Sequence, residues 1–342
     1  MAAEVTAADR TTQRLSIAEA LDCACAASAV RQLATATGFP GVATEEIVLV
    51  CAELASNIVK HAGHGALILR AVQAHDRSGI ELDAQDAGPG ITNVDAAFAD
   101  GYSTLGGLGY GLGSVNRLMD EIDIESTPAL GTRIVCRRWL RCESEHTLES
   151  RWDVGAATRS RRFAPENGDA YVVKQWQGNL LIALIDGLGH GAPAQQAAIA
   201  AQRYVHTHYD LPLQRIFTGV SRACRATRGV VMALARFESP ARLIFASIGN
   251  VEACVHGAEP VPQLGVQRGM LGVSEPHAVV QDCAWRPDWM LVLYTDGVRG
   301  RWSWRDRDGI GHLPAQEAAT QLLRTLGTDD DDATIVVAKG PA

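Results

Sequence analysis

The sequence predicts an α/β (α+β) chain of two consecutive domains, each with helices laid against sheet, and three observations carry that reading. At 342 residues, with 47% hydrophobic and 20% charged content, the chain can fill two ordinary cores. In the first half, apolar residues at helical spacing precede two strand pairs separated by a glycine-rich run. In the second half, short apolar strands recur, and two of them end in the same step, Asp186-Gly187 and Asp296-Gly297.

Residues 1–14 are small and polar and read as a frayed terminus, and Leu15 to Thr37 reads as an Ala-rich helix broken by Gly38-Phe-Pro-Gly41. Thr44 can cap a second helix with Glu45 and Glu46 in its first turn. There Ile47, Val50, Cys51, Leu54, Ala55, Ile58 and Ala62 form a buried stripe at spacings of three and four. Glu53 and Asn57 lie off the stripe, four apart on one shared face. Gly65–Gln73 and Gly79–Asp86 alternate as strands around a polar turn at His75–Gly79, so Asp86 ends a strand where the Gly88/Gly90 loop begins.

Five glycines between Gly106 and Gly113 then free the backbone to hug a ligand, because no Cβ stands in the way. A helix over Ser114–Asp120 would turn unpaired N–H groups and a positive dipole end toward it, which suits a nucleotide phosphate. Glu121–Ser126 and Gly131–Trp139 make a second strand pair, turned at Leu130-Gly131. The elements of this half add up to helices on one side of a mixed sheet. His61 and His64 read as structural or surface residues.

A net charge of −8 removes the electrostatic drive toward nucleic acid or anionic lipid and favours protein and small-molecule partners. The eight cysteines are scattered without a CxxC pair, as reduced core thiols would be. No basic-then-apolar leader opens the chain, and no apolar run reaches the roughly 18 residues of a membrane span, so a cytoplasmic protein with no membrane partner is expected.

Between Arg141 and Arg162 the apolar period disappears, which places a linker at 141–150 between domains over 1–140 and 151–342. The Arg159–Arg162 cluster reads as an exposed entry segment, with a basic contact for a phosphoprotein as the alternative. Ala170–Trp176 and Asn179–Ile185 are apolar strands joined by Gln177-Gly178, a pair suited to a two-residue hairpin. With that turn, Trp176 pairs with Asn179 and Asp169 falls opposite Asp186. Like charges facing across a ladder are unfavourable unless a cation lies between them, so the register itself predicts metal. A turn at Gly178-Asn179 would move the register by two and remove the argument.

Helices over 192–209 and 211–227 follow, then strands at Val230–Phe237, Leu243–Ile248 and Trp289–Tyr294, and a closing strand after the acidic run Asp329–Asp332. Four sets of aspartates at strand ends point to a hard-cation site. His190 reads as a surface loop residue. Arg299–Arg307, with Trp302 and Trp304 interleaved, reads as a loop that greets a phosphorylated partner rather than a nucleic-acid patch.

Glu53-Leu-Ala-Ser-Asn57, Asp86-Ala-Gly-Pro-Gly90, Gly107–Gly113 and Gly131-Thr132 resemble the four ATP-binding boxes of the GHKL superfamily. Gly-Tyr-Ser-Thr followed by Ser-Val-Asn-Arg-Leu-Met-Asp-Glu resembles its RsbT-type serine/threonine kinases. The resemblance implies a GHKL two-layer sandwich that binds ATP with Mg²⁺, with Asn57 holding the ion and Asp86 accepting from the adenine amino group. Gly88, Gly90, Gly107, Gly109, Gly111, Gly113 and Thr132 would line the nucleotide, and Glu53 would take the proton from an attacking serine or threonine.

Gly168-Asp169, Asp186-Gly187, Gly249-Asn250, Thr295-Asp296-Gly297 and Asp331-Asp332-Ala-Thr334 resemble the motifs of 2C-type metal-dependent phosphatases, in the small SpoIIE/RsbX-like version. That resemblance implies an α-β-β-α sandwich holding two Mn²⁺ or Mg²⁺ ions. Asp169, Asp186 and the Gly187 carbonyl would hold one ion, and Asp186, Asp296 and Asp331, with Asp332 as fallback, the other. Together the two resemblances imply a kinase and phosphatase acting on STAS-domain anti-anti-sigma or stressosome-like proteins, with a sigma factor or an output enzyme downstream. The alternative is an anti-sigma-like protein that works by sequestering its partner.

Overall fold

The computed structural model describes residues 6–74, 77–91, 111–127, 130–141, 152–162, 164–238, 241–258, 261–273, 277–300 and 309–340, residues 6–11 by their backbone alone. The chain divides into two compact units, Met1–Glu143 and Ser144–Ala342. Residues 142–150 of the expected linker, and the Trp302/Trp304 pair, lie outside the described residues. Among the described residues no helix is long and apolar enough to cross a membrane. No two described cysteines are bridged; Cys51, Cys136 and Cys224 are buried, whereas Cys25 is exposed and so is no core thiol.

The first unit is a five-stranded sheet in the order β1-β2-β3-β5-β4. Its strands are β1 (Thr6–Ile17), β2 (Gly65–Ala74), β3 (Arg77–Asp86), β4 (Glu121–Thr127) and β5 (Gly131–Trp139). Every pairing is antiparallel, which corrects the expected mixed sheet. One face carries α1 (Ala20–Thr37) and α2 (Gly41–Asn57), whose apolar stripes close a core with Leu67, Leu69, Ile80, Leu82, Ile134 and Cys136. A short third helix, α3 (Gly111–Leu118), packs beside α2. The opposite face carries alternate residues as ion pairs running across strands, among them Arg70 with Glu81 and Asp83, Arg133 with Asp83, and Arg137 with Glu81 and Glu121.

The terminus expected to fray is therefore partly the edge strand β1. Its polar, weakly alternating sequence gave no strand signal because an edge strand is held from one side only, here by β2, with an irregularity between Ala7 and Thr12. The second helix starts at Gly41, not at a Thr44 cap: Thr44 lies inside it and turns its hydroxyl back to the Phe39 carbonyl. Past Asn57 the helix widens into a π-helical turn, Ile58–Ala62.

The second unit is two antiparallel sheets face to face, β12-β10-β9-β8-β7 and β11-β13-β14-β6. The first holds β7 (Asp169–Trp176), β8 (Asn179–Gly187), β9 (Val230–Phe237), β10 (Arg242–Ile248) and β12 (Gln281–Ala284); the second holds β6 (Asp153–Arg159), β11 (Glu252–His256), β13 (Met290–Tyr294) and β14 (Ala333–Lys339). Ile182, Leu184, Ala233 and Phe245 of the first sheet meet Leu291, Leu293 and Val336 of the second in one core. Helices α4 (Ala192–Thr207) and α5 (Leu213–Ala223) flank the first sheet, and α6 (Ala315–Leu326) covers the second through Leu322, Val292 and Ile335. This is the expected α-β-β-α order of layers.

Strand β6 falls in the stretch that reads as irregular, so Arg159 belongs to a strand rather than an entry segment. It lacks long apolar side chains because α6 lies directly on it: a Cβ on Gly155 would stand 2.2 Å from the Gln316 nitrogen. Strands β11 and β12 and helix α6 also went without an expectation.

Glycine conformation yields a test within the first unit. Gly131 has φ +106°, and a Cβ there would stand 2.1 Å from the Asp86 carbonyl oxygen; Gly63, at φ +76°, faces open space. Gly131→Ala is expected to cost ~3 kcal/mol against ~1 kcal/mol for Gly63→Ala, read from urea midpoints of the unit's transition. Equal costs contradict the close packing of that turn on Asp86.

Candidate functional site

Two constellations emerge, one in each unit. In the first, Glu53 and Asn57 stand four apart on α2, both half-buried and without a hydrogen bond among the described residues. Helix α3 borders the same face, and Glu53 shares a small cleft with Leu49, Val50, Ser114, Val115 and Leu118. Gly111 and Gly113 lie inside this helix, ahead of its expected start at Ser114, so the last two glycines of the run are helical. Gly107 and Gly109 lie outside the described residues.

Asp86 ends β3 as expected. Its Oδ1 accepts from the Gly88 N–H at 2.8 Å, which leaves Oδ2 without a partner among the described residues. The loop beyond passes so close to the π-helical turn that a Cβ on Gly88 would stand 2.7 Å from that of Ala62. Gly90 takes φ +75°. Thr132 pairs with Asp86 across the ladder, and its hydroxyl lies 3.0 Å from that of Ser126. Ser126 was not anticipated; its hydroxyl accepts from Ile91 N–H at 2.7 Å and staples the end of the Gly90 loop to β4. The structure thus gathers Asp86, Gly88, Gly90 and Thr132 at one end of the sheet, and Glu53 against α3.

In the second unit the turn is Gln177-Gly178, both with positive φ (46° and 77°), as a two-residue hairpin requires. Asp169 and Asp186 are accordingly register partners across β7 and β8. Asp186 carries no hydrogen bond or ion pair among the described residues. Burial, then Asp169, Asp296, Asp331 and Asp332, push its carboxyl up to about 8. Burial likewise raises Asp169 to about 7, opposed by hydrogen bonds from Thr295 and Thr334. Asp296 is also raised, by burial and then by Asp331, although the Asn250 amide donates to its Oδ2 at 2.6 Å.

The two aspartates of the acidic run differ. Asp332 is buried, and its oxygens accept from the Arg161 and Gly168 N–H groups, both at 2.7 Å. Asp331 is half-buried and faces the other carboxylates, its Oδ1 also accepting from Asp332 N–H at 2.9 Å. Gly187 N–H donates to the Gly168 carbonyl at 2.9 Å, and a Cβ on Gly187 would stand 2.1 Å from the Ala194 carbonyl oxygen. His190 is exposed on the following loop.

Among the described residues no three acidic, imidazole or thiol groups converge into a ready-made cation cage. What the site holds is several carboxylates within electrostatic reach of one another, paired with no basic side chain among the described residues. All-oxygen donors and unneutralised charge fit a hard divalent cation. Thr295 and Asn250, which touch these carboxylates, were missed as partners; the only sequence signal was their place inside the strand-end motifs.

Residues 16–138 match the family described as histidine kinase-like ATPase domain, and residues 177–341 match stage II sporulation protein E (SpoIIE). The serine/threonine-protein kinase RsbT of Bacillus subtilis (strain 168) is 40% identical over 111 residues, which cover 32% of this chain and 84% of that one. The phosphoserine phosphatase RsbX of the same organism is 23% identical over 137 residues, 38% of this chain and 67% of that one. A solved chain of the bacterial stressosome, described as a modular system adapted to control secondary messenger signalling, aligns with a TM-score of 0.52 and 28% identity over 55% of this chain and all of its own.

The raised carboxyls give stability a defined sign of pH dependence. A group that binds its proton more tightly folded than unfolded stabilises fully below the ordinary value of 3.8 and loses that contribution as pH rises through the folded values of about 7 and 8. With EDTA present, the melting temperature of the second unit is expected to fall from pH 5 to pH 8.5. Mn²⁺ should reverse the fall, more strongly at higher pH, because the carboxyls must lose their protons to bind it. A metal-free melting temperature that rises across this range contradicts the assignment.

Proposed function

Because this chain belongs, through residues 16–138, to the histidine kinase-like ATPase family and carries a SpoIIE-type domain over residues 177–341, we propose that it is a two-way phosphorylation switch. One unit is an ATP-dependent protein serine/threonine kinase. The other is a metal-dependent phosphoserine/phosphothreonine phosphatase. Their substrates are STAS-domain regulators of a cytoplasmic partner-switching pathway, with a sigma factor or an output enzyme downstream. The observation that carries the reading is the register pairing of Asp169 with Asp186, two carboxylates with no counter-charge among the described residues, in a chain that also presents Glu53 beside α3, which contains Gly111 and Gly113.

In the kinase unit, phosphoryl transfer asks mainly for positioning and charge neutralisation. The open Oδ2 of Asp86 accepts from the adenine amino group, and the N–H groups at the start of α3 face the phosphates. Asn57 offers its amide oxygen toward the Mg²⁺ that accompanies ATP. Glu53, a carboxylate of the cleft with no partner among the described residues, removes the proton from the acceptor hydroxyl.

In the phosphatase unit, Asp169, Asp186 and the Gly187 carbonyl would hold one Mn²⁺ or Mg²⁺, and Asp186, Asp296 and Asp331 the second. Bound there, the pair would supply an acidified water and a clamp for phosphate oxygens. Asp332, already committed to two backbone N–H groups, serves the fold and leaves Asp331 for the ligand role. Asn250 orients Asp296 by donating to one of its oxygens.

The two activities separate by mutation. With labelled ATP and a panel of STAS-domain proteins, Glu53→Gln should slow phosphoryl transfer by ~10²–10⁴-fold while nucleotide still binds. Asp186→Asn should abolish Mn²⁺-dependent dephosphorylation and leave transfer intact. An unchanged transfer rate in the first variant, or retained hydrolysis in the second, refutes the corresponding role. Stoichiometric capture of a partner by the wild type with no transfer to any STAS protein would replace the kinase reading with sequestration.

A further inference from the structure

Strand β7 is the last strand of its sheet, so one of its edges has no neighbouring strand. Residues along an antiparallel strand turn their backbone groups alternately toward and away from the partner. The Asp169 N–H donates to Asn167 Oδ1 at 2.9 Å and the Tyr171 carbonyl accepts from Gln202 Nε2 at 2.9 Å, so the odd-numbered residues of β7 face outward. The N–H groups of Tyr171 and Val173 lie on that open edge without a partner among the described residues. What covers the edge is therefore two side-chain amides in place of a strand. A primary amide carries the same donor and acceptor as a peptide group, so an arriving backbone can replace either one with no net loss of hydrogen bonds.

Beside this edge lies a cavity of about 180 Å³. It is bounded by Asp169 and Tyr171 of β7, by Thr158 of β6, and by Gln195, Ile199 and Gln202 of α4. Its place is that of one more strand of the first sheet, with α4 on one side and the edge strand of the second sheet on the other. The volume is below the roughly 300–1,000 Å³ of small-molecule pockets, so it suits a short stretch of chain rather than a nucleotide. Apart from Asp169, every polar side chain that lines it is neutral, which suits an uncharged guest. The strand begins at Asp169 itself. A chain that follows the edge therefore arrives at the carboxylate cluster.

We propose that the open edge of β7 and this cavity seat the protein substrate of the second unit: an extended segment adds as one more strand and delivers its phosphoserine or phosphothreonine to the carboxylates. The proposal rests on the metal-site reading of Asp169 and names how the substrate is presented to it. Main-chain bonds to Tyr171 and Val173 give affinity for an extended segment, and the cavity gives selectivity. Alternate side chains of a strand share a face at a spacing of about 6–7 Å. The side chain that enters the cavity thus belongs to a close sequence neighbour of the phosphorylated residue, and it is uncharged. Ile199, Gln195 and Gln202 are the residues that select it.

The test compares two probes on the full-length chain with Mn²⁺. One is p-nitrophenyl phosphate, which has no chain to lay along the edge. The other is a set of unstructured phosphoserine peptides in which each neighbouring residue in turn is varied through Ala, Asn, Leu, Lys and Glu. Val173→Pro removes an outward N–H that the ladder with β8 does not use, a change that edge strands tolerate. Ile199→Trp fills the cavity from the helix side. Each variant is expected to raise KM for the peptides about tenfold, as the loss of one or two hydrogen bonds would, while turnover of p-nitrophenyl phosphate stays within about twofold. The wild type should prefer Ala, Asn or Leu over Lys or Glu at one position, and Ile199→Trp should lose that preference. An unchanged peptide KM in either variant, or equal losses on both probes, overturns the proposal, as does a wild type that turns over p-nitrophenyl phosphate and none of the peptides. A wild type that hydrolyses neither probe instead overturns the metal-site reading beneath it.

Discussion

The second unit is organised around an electrostatic conflict: two carboxylates, buried Asp169 and half-buried Asp186, face each other across an antiparallel pair without a counter-ion from the described residues. Like charges so placed oppose folding in their ionised form, and burial first, then the neighbouring carboxylates led by Asp169, pushes the carboxyl of Asp186 up to about 8. The surrounding residues are set to contain that conflict rather than cancel it. Thr295 donates to Asp169, Asn250 donates to Asp296, and Asp332 is absorbed by two backbone N–H groups. Containment by neutral donors keeps the negative charge available to a cation, whereas an arginine in the same place would extinguish it. The outer sheet face of the first unit shows the contrast, since there Glu81 and Asp83 are paired with arginines and hold the sheet rather than a ligand.

The first unit solves a different problem with different means. Its candidate nucleotide site depends on backbone approach, so its decisive residues are glycines at positions where a Cβ has no room. Gly131 lies against the Asp86 carbonyl, and Gly88 lies against Ala62 of the π-helical turn that follows Asn57. Such turns inside helices often mark functional sites, and here it comes directly after the residue proposed to face the nucleotide's Mg²⁺. Glu53 is left with no polar partner among the described residues of its cleft, the condition a proton acceptor needs.

Much of this was legible in the amino-acid sequence alone. The dipeptide Gln177-Gly178 permits a two-residue turn, that turn sets the register, and the register brings Asp169 and Asp186 together; each step follows from local backbone preference. The order of Glu53, Asn57, Asp86 and the glycine run likewise pointed to one sheet end. What stayed hidden depends on neighbours distant in sequence. Strand β6 has small residues because α6 presses on it, and β1 is a strand because β2 offers it an edge. The different duties of Asp331 and Asp332 follow from N–H groups at Arg161 and Gly168, more than 160 residues earlier in the chain.

The central claim is that protons occupy this carboxylate pair until divalent ions displace them. Isothermal titration of Mn²⁺ at pH 7 in two buffers of different ionisation enthalpy measures that exchange directly, since the difference in heat counts protons released. The account expects two Mn²⁺ per chain, with on the order of one proton or more released as Asp169 and Asp186 ionise. Binding with no proton release, or no binding at all, would contradict it.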